Sequence, residues 1–240
     1  MSNASQLALN LTPRLAYSAK NFILHTGVSS LLSEIVALLE THPPKFSFVY
    51  GVPRSGKTHM SIALSDKLIS RGMKPVLLDG EDFKKVVLNA ETKFFEKETL
   101  VVDDSDHLFS DLLPGDSGPI VRFFELLRLN EVGLVLFSSK TVEELPCDQH
   151  ILSRLKASAQ MQISAPDFES LQKVVDRMAK QRGLALGGRR LSFLEKRVSR
   201  EISEIENYLE RLDHLSEVLG KKVSFKTLGD ALKPVKSLVF

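Results

Sequence analysis

Apolar residues recur at helical spacing through Leu31, Leu32, Ile35, Leu38 and Leu39, which predicts a helix over about 28–41 that stops before Pro43 and Pro44. The short apolar run Phe46 to Tyr50 ends at Gly51 and reads as a buried parallel strand. A helix is expected from Lys57 to about Arg71, closed by Gly72. Further strands are expected at Pro75–Leu78, Thr99–Val102 and Val132–Phe137. Between the last two lies a polar, acidic stretch, Ser105 to Gly118. It reads as a loop with a turn at Pro114-Gly115, followed by a helix with Val121, Phe124 and Leu127 on one face. Strands alternating with helices imply βαβ units and a parallel sheet.

The pattern changes after Pro166. Phe168, Leu171, Val175 and Met178 form one helical stripe, ended by Gly183. Ile202, Ile205, Leu209 and Leu212 form a second, with Ser199 as the expected N-cap and Gly220 as the stop. Residues 1–20 carry Pro13 and little periodicity. The expected organisation is therefore a flexible arm over 1–20, an α/β base over 21–165 and a small helical unit over 166–240.

Composition narrows the class without fixing it. The chain has 240 residues, 43% hydrophobic and 26% charged, ordinary values for a globular protein. Its net charge of +2 gives no strong bias toward nucleic acid. The single cysteine, Cys147, excludes an intrachain disulfide framework and fits a reducing compartment. No apolar run approaches bilayer length, and Met1 to Leu11 lacks the basic start and apolar core of a signal peptide, so a cytoplasmic location with no membrane partner is expected.

The chemistry concentrates at Gly51-Val52-Pro53-Arg54-Ser55-Gly56-Lys57-Thr58, which fits G-x-x-x-x-G-K-[ST] after a strand and before a helix. Glycines let the backbone curl around phosphate oxygens so that successive N–H groups point inward. The helix N-terminus adds a favourable dipole. Pro53, Arg54, Ser55, Gly56, Lys57, Thr58 and the following His59 are the expected nucleotide contacts, with Lys57 on the β/γ-phosphates and Thr58 on Mg²⁺. The strand Thr99–Val102 ends in Asp103 and Asp104, a Walker B pattern. Asp103 is expected to hold Mg²⁺ and Asp104 to polarise water. Asp104 is one methylene shorter than Glu, which implies slow intrinsic hydrolysis. Asp106, Asp111 and Asp116 read as solvated turn carboxylates.

Two arginines lie at informative distances beyond these motifs: Arg154 in Ile151-Leu-Ser-Arg-Leu155, and Arg200 in Ser199-Arg-Glu-Ile202. Spacing alone reads each as a solvated surface arginine. In an AAA+ reading Arg200 touches phosphate in its own site, and Arg154 is a finger offered to a neighbour's nucleotide, an effect of about 10³–10⁵ in rate in other systems. Ser138 and Ser139 end the fourth strand, where a polar sensor residue belongs. Lys221, Lys222 and Lys226 read as a solvated face.

The Gly56-Lys-Thr-His59 loop, the Val-Val-Asp-Asp run, the Leu-Ser-Arg-Leu box and the Arg-Glu-Ile helix start resemble the bacterial replication initiator family DnaA, over about Phe22 to Leu232. The chain ends soon after Lys233, so no helix-turn-helix domain is expected, and contact with DNA is expected to be indirect only. The Hda type, the DnaA homologue of regulatory inactivation, fits better. Such proteins carry a clamp-binding peptide Q-L-x-L-x-L, matched here by Gln6, Leu7, Leu9 and Leu11. The resemblance implies binding of ADP or ATP with Mg²⁺, with the adenine near Phe22 and the first helix. It further implies binding to the DNA polymerase III sliding clamp, stimulation of ATP hydrolysis in DnaA through Arg154, and a homodimer as a possible inactive form. The alternative is a self-acting DnaA-family or helicase-loader-like ATPase on DNA. A third reading is a nucleotide-gated adaptor joining the clamp to another client. Two departures stand out: Ser139 where DnaA usually carries Asp, and Asn10 where the clamp peptide often has Pro.

Overall fold

The structure is a computed structural model that describes residues 25–88, 98–110, 117–220 and 223–233. The expected arm over 1–20, with Gln6, Leu7, Leu9 and Leu11, lies outside the described residues, as do Phe22, the Pro114-Gly115 turn, Asp111, Asp116, Lys221 and Lys222.

Five strands build one sheet: β1 (Ser47–Tyr50), β2 (Lys74–Leu78), β3 (Glu98–Val102), β4 (Gly133–Ser138) and β5 (Ala159–Gln162). Their order is β2-β3-β4-β1-β5 and every pairing is parallel. The middle residues of the central strands, Phe48-Val49, Leu100–Val102 and Leu134–Phe137, are apolar because helices cover both faces. Alternate residues serve opposite sides. Phe48, Leu100, Val102, Leu134 and Leu136 join one core, with Phe83, Phe109, Phe123 and Phe124. Val49, Val101, Val135 and Phe137 join the other, with Leu32, Ile35, Met60 and Leu64. Helices α1 (Thr26–Leu39) and α2 (Lys57–Ser70) supply the second core. Helices α3 (Gly80–Leu88), α4 (Asp106–Ser110), α5 (Ser117–Leu129) and α6 (Gln149–Lys156) supply the first.

Four helices follow, α7 (Phe168–Gln181), α8 (Gly188–Glu195), α9 (Ile202–Leu219) and α10 (Phe225–Leu232), around a core of their own. Leu171, Val174, Val175 and Met178 of α7 meet Leu194 of α8, Ile205, Tyr208 and Leu209 of α9, and Leu228 of α10. The Tyr208 hydroxyl donates to the Leu228 carbonyl at 3.2 Å, so the buried phenol is satisfied. Asp167 caps α7, accepting from the Ser170 N–H at 2.6 Å. Gly220 closes α9 in the left-handed region, at φ 55°.

Three expectations need correction. The stretch 105–118 is not all loop: Leu108 and Phe109 are buried and draw Asp106–Ser110 into a short helix. Phe168 is 57% exposed, because the buried stripe of α7 starts one turn later at Leu171. Ser199 does not cap α9. Its hydroxyl accepts the Glu201 N–H at 3.1 Å in a preceding turn, and Glu201 is the N-cap.

Candidate phosphate-binding site

The sheet order brings the chemistry together. β4 lies between β1 and β3, so Gly51 after β1, Ser138 at the tip of β4 and Asp103 after β3 stand side by side at the carboxyl edge. Ligands of open α/β sheets bind at that edge. The Gly51 N–H donates to the Ser138 carbonyl at 3.1 Å, and the Ser105 N–H and hydroxyl both donate to the Phe137 carbonyl at 2.9 Å. The three strand exits are thereby tied to one another.

The loop from Gly51 to Thr58 has the curled backbone expected of it. A Cβ at Gly51 would lie 2.7 Å from Ser55 Oγ and 3.2 Å from Ile163 Cβ, so only glycine lets the loop turn there. Gly56 precedes α2 at φ 98°. Arg54 also has positive φ, 64°, a conformation costly for a side chain with Cβ. Lys57 is buried, and its ammonium donates to the Gly51 carbonyl at 2.9 Å and the Val52 carbonyl at 3.1 Å. Burial lowers its pKa, opposed by the charges of Asp104, Asp106 and Asp103.

Asp103 shares a side-chain hydrogen bond with Thr58, but burial is the larger effect and raises its pKa. Its Oδ1 is buried without a partner, as is Ser55 Oγ in the loop. Two unsatisfied oxygens beside a buried lysine are unusual in a closed protein interior. They fit a site whose partners are phosphate and cation. Among the described residues no group of three or more His, Cys, Asp or Glu side chains could hold a metal by itself. The donor set fits a cation shared between Thr58, Asp103 and phosphate oxygens, the usual manner of Mg²⁺.

Asp104 is exposed and adopts φ 49°. Asp tolerates this region better than longer side chains do. Gly80 makes room for that turn, since a Cβ there would strike the Asp104 carbonyl oxygen and come within 2.8 Å of His107 Cβ. Asp106 is not a solvated turn carboxylate. It accepts the Ser138 hydroxyl and, at 2.7 Å, the Ser139 N–H, and so pins α4 to the tip of β4. The Ser138 hydroxyl also meets the Lys140 carbonyl at 2.6 Å and is engaged within the protein.

The other expected residues fall on two further surfaces. Arg54 Nε and Nη2 contact Glu206 Oε2 of α9 at 2.8 and 2.7 Å, and its Nη1 donates to Asn207 Oδ1 at 2.7 Å. Arg182 reaches the same Glu206 at 3.3 Å. Burial lowers the pKa of His59, opposed by the Glu206 charge. Pro53 is exposed at the crest of the loop. Arg200 is exposed, two residues before α9. Arg154 lies on α6, where Nε and Nη2 both contact Glu125 Oε1 of α5 at 3.0 Å and Nη1 donates to the His150 carbonyl at 3.0 Å. None of these contacts joins Arg154 to the loop. Sequence reasoning missed Gly80, Asp106, Glu206 and Asn207. Only Asp106, three residues past Asp103, carried any signal, and it was read as solvated.

No family model matches the chain. Among curated proteins, the chromosomal replication initiator DnaA of Lactobacillus helveticus is 23% identical over 245 residues, covering 96% of this chain and 53% of that protein. DnaA of Burkholderia vietnamiensis is 25% identical over 237 residues, covering 93% and 44%. The chain thus spans about half the length of the curated relatives it matches. Domain III of Thermotoga maritima DnaA superposes with TM-score 0.68 at 19% identity, covering 91% of this chain and 98% of that one. AMPPCP-bound DnaA of Aquifex aeolicus gives 0.60 at 18%, covering 92% and 80%. The Thermotoga maritima RuvB Holliday junction branch migration motor gives 0.64 at 13%, covering 90% and 71%. The fold is that of the AAA+ class, a parallel α/β base with a C-terminal helical lid, and in sequence the chain is similar to DnaA.

Proposed function

We propose that the chain holds a purine nucleoside di- or triphosphate with Mg²⁺ in the Gly51–Thr58 loop, and that it is an Hda-like regulator of replication initiation. The observation that carries the first half is the pair of unpartnered buried oxygens, Asp103 Oδ1 and Ser55 Oγ, beside the buried Lys57. The loop N–H groups and Lys57 bind phosphate, while Thr58 and Asp103 orient the cation. Mg²⁺, when bound, supplies charge neutralisation between the phosphates. Asp104 stands at the exit of β3, where an acid faces attacking water. Arg54 ties the loop to α9 of the lid through Glu206, whose charge also acts on His59, and Arg200, two residues before that helix, would supply the lid's phosphate contact.

The second half rests on the likeness to DnaA and on two features of the chain. Arg154 stands on the α5–α6 surface, partnered by Glu125 rather than by the chain's own loop. That placement supports a finger directed at ATP held by DnaA. The peptide Gln6, Leu7, Leu9 and Leu11 supplies the clamp contact, which brings regulator and DNA-bound initiator together and raises their effective concentration. A homodimer that covers Arg154 or the peptide would be the resting form. The alternative, a self-acting DnaA-family ATPase on DNA, is favoured by the gathering of Lys57, Asp103 and Asp104 in one site.

The test pairs clamp binding with ATP hydrolysis by DnaA. The wild-type chain is expected to bind the clamp with micromolar or tighter Kd, about −8 kcal/mol, and the Gln6→Ala/Leu9→Ala variant to lose that binding. Arg154→Ala should keep nucleotide and clamp binding and lose stimulation of DnaA at least about 100-fold, below the usual range for a finger arginine. Normal stimulation by Arg154→Ala removes the finger assignment. Absent clamp binding with robust turnover of its own favours the self-acting ATPase.

A further inference from the structure

The phosphate loop carries an arginine at a position that suits glycine. Val52-Pro53-Arg54-Ser55 forms a tight turn, closed by the Ser55 N–H donating to the Val52 carbonyl at 3.1 Å. Proline second and a φ of 64° third is the pattern of a type II turn, whose third residue is ordinarily glycine. A side chain with Cβ is strained there. Such strain persists where the surroundings over-determine it, and it gathers at functional sites. Here three contacts hold the Arg54 side chain, and all three guanidinium nitrogens take part. Nε and Nη2 reach Glu206 Oε2 at 2.8 and 2.7 Å, and Nη1 donates to Asn207 Oδ1 at 2.7 Å. The other Glu206 oxygen accepts from Arg182 at 3.3 Å. Glu206 and Asn207 lie between the buried Ile205 and Tyr208, so the lid core fixes the register at which α9 offers them.

The lid is thereby attached to the loop at two places. The first is covalent. The chain leaves β5 at Gln162 and enters α7 after the Asp167 cap, and Ile163 stays in the base core beside Gly51. The Ile163 N–H donates to the Tyr50 carbonyl at 2.8 Å, which fixes that end. The second is Arg54, at the crest of the loop. A lid that turns about the short connection after Ile163 keeps the first attachment and must break the second. A ligand that enters or leaves the loop therefore passes on the Arg54 side. The Arg54 side chain is 47% exposed and that of Glu206 33%, so water can replace each partner and the contact can open and re-form.

We infer that Arg54, Glu206 and Asn207 form a latch between the phosphate loop and the lid that sets how fast nucleotide enters and leaves the site. This rests on the phosphate-site reading above. The three bonds are made within the chain and need no ligand, so the latch closes over the empty and the filled loop alike. It slows entry and exit by the same factor. Exchange rate and affinity are thereby separated: the loop, Lys57 and Asp103 set how tightly phosphate is held, and the latch sets how long it stays.

The experiment is stopped-flow binding and displacement of fluorescent N-methylanthraniloyl-ADP with Mg²⁺, on the wild-type chain, Glu206→Ala and Asn207→Ala. Glu210→Ala, an exposed carboxylate one turn further along α9, controls for charge alone. Glu206→Ala should raise the association and dissociation rates together by about 5-fold, the most a half-exposed ion pair provides, and keep Kd within about 2-fold. Asn207→Ala, which changes no charge, should raise both rates by about 3-fold. Glu210→Ala should move neither. The double variant Arg54→Gly/Glu206→Ala should exchange no faster than Arg54→Gly, because the two residues share one contact. In about 1 M salt, where screening reaches ~3 Å, the wild-type and Glu206→Ala rates should converge. Should Glu206→Ala fold poorly, Asn207→Ala carries the same test. Rates that do not move in either single variant overturn the latch. So does a dissociation rate that rises alone with loss of affinity, which would make these side chains ligand contacts, and so does full additivity in the double variant. A Glu210→Ala variant as fast as Glu206→Ala reduces the effect to charge and overturns it as well. A wild-type chain that binds no nucleotide overturns the phosphate site itself, and the latch with it.

Discussion

At the scale of single residues, the site is assembled from groups that destabilise the empty protein. Asp103 is the clearest. Its pKa is raised by burial, so the folded state disfavours the ionised form. A carboxylate with a raised folded pKa binds its proton more tightly folded than unfolded. Stability is therefore lost as pH rises through the ordinary carboxylate range, and the loss is complete above the folded pKa. Asp103→Asn should accordingly raise the Tm of the ligand-free protein at neutral pH, by about 2–4 °C if about 1 kcal/mol is relieved. The difference should shrink toward zero below about pH 4. Thermal melts across that pH range check the sign, and a gain that persists at low pH would contradict it. Gly80 makes the opposite case. A Cβ there would strike the carbonyl of Asp104 in the turn after β3. Gly80→Ala should cost about 1–3 kcal/mol of overpacking and lower Tm by roughly 2–10 °C. Nucleotide affinity should fall with it, because the Walker B turn is displaced. A melt paired with a nucleotide titration checks both, and an unshifted Tm would mean the turn yields freely.

At the scale of elements, the link between the phosphate loop and α9 is the least expected feature. Glu206 accepts Arg54 from the loop and Arg182 from α7, and its charge acts on His59 of α2. The carboxylate is 33% exposed and the Arg54 side chain 47%, so the pair contributes only about 0–1 kcal/mol. Its effect is positional. Glu206→Ala should move Tm by no more than about 1–4 °C while raising amide exchange in α9 and in the Gly51–Thr58 loop together. Hydrogen exchange confined to α9 would contradict a coupling between the two. The same link shows where sequence reading stops. The loop, the Walker B strand and the amphipathic helices were legible because each is a local pattern, apolar residues at a fixed period bounded by Gly or Pro. β5 was not, since its sequence Ala159-Gln-Met-Gln162 buries only Met161 and alternates too briefly to register. α6 and α8 are eight residues long, and α10 contains Gly229, so none offers a long stripe. Glu206 and Asn207 owe their positions to chain crossings that no local pattern encodes.

At the scale of the whole molecule, the sheet order places the phosphate loop between two flanks. One carries Asp103, Asp104 and Asp106, and the other carries Ile163 and the passage of the chain into the lid. The AAA+ architecture was legible because the Lys57 and Asp103 motifs sit on strands that must share an edge. The tether of Arg154 to Glu125 was not, because α5 and α6 meet only after the sheet has formed. The central claim is that this edge holds a nucleotide through Lys57. Its most direct test is calorimetric titration of Mg-ADP and Mg-ATP into the wild-type chain and into Lys57→Met, with ligand-free melts alongside. The lysine is buried with its pKa lowered, so its charge opposes folding at neutral pH, a cost that fades as the pH rises through the lowered folded pKa and is gone above the ordinary lysine value. Lys57→Met should therefore melt no lower than wild type and yet bind at least about 100-fold more weakly, a loss of about 2.7 kcal/mol. Equal binding by the two proteins, or no binding by either, would contradict the account.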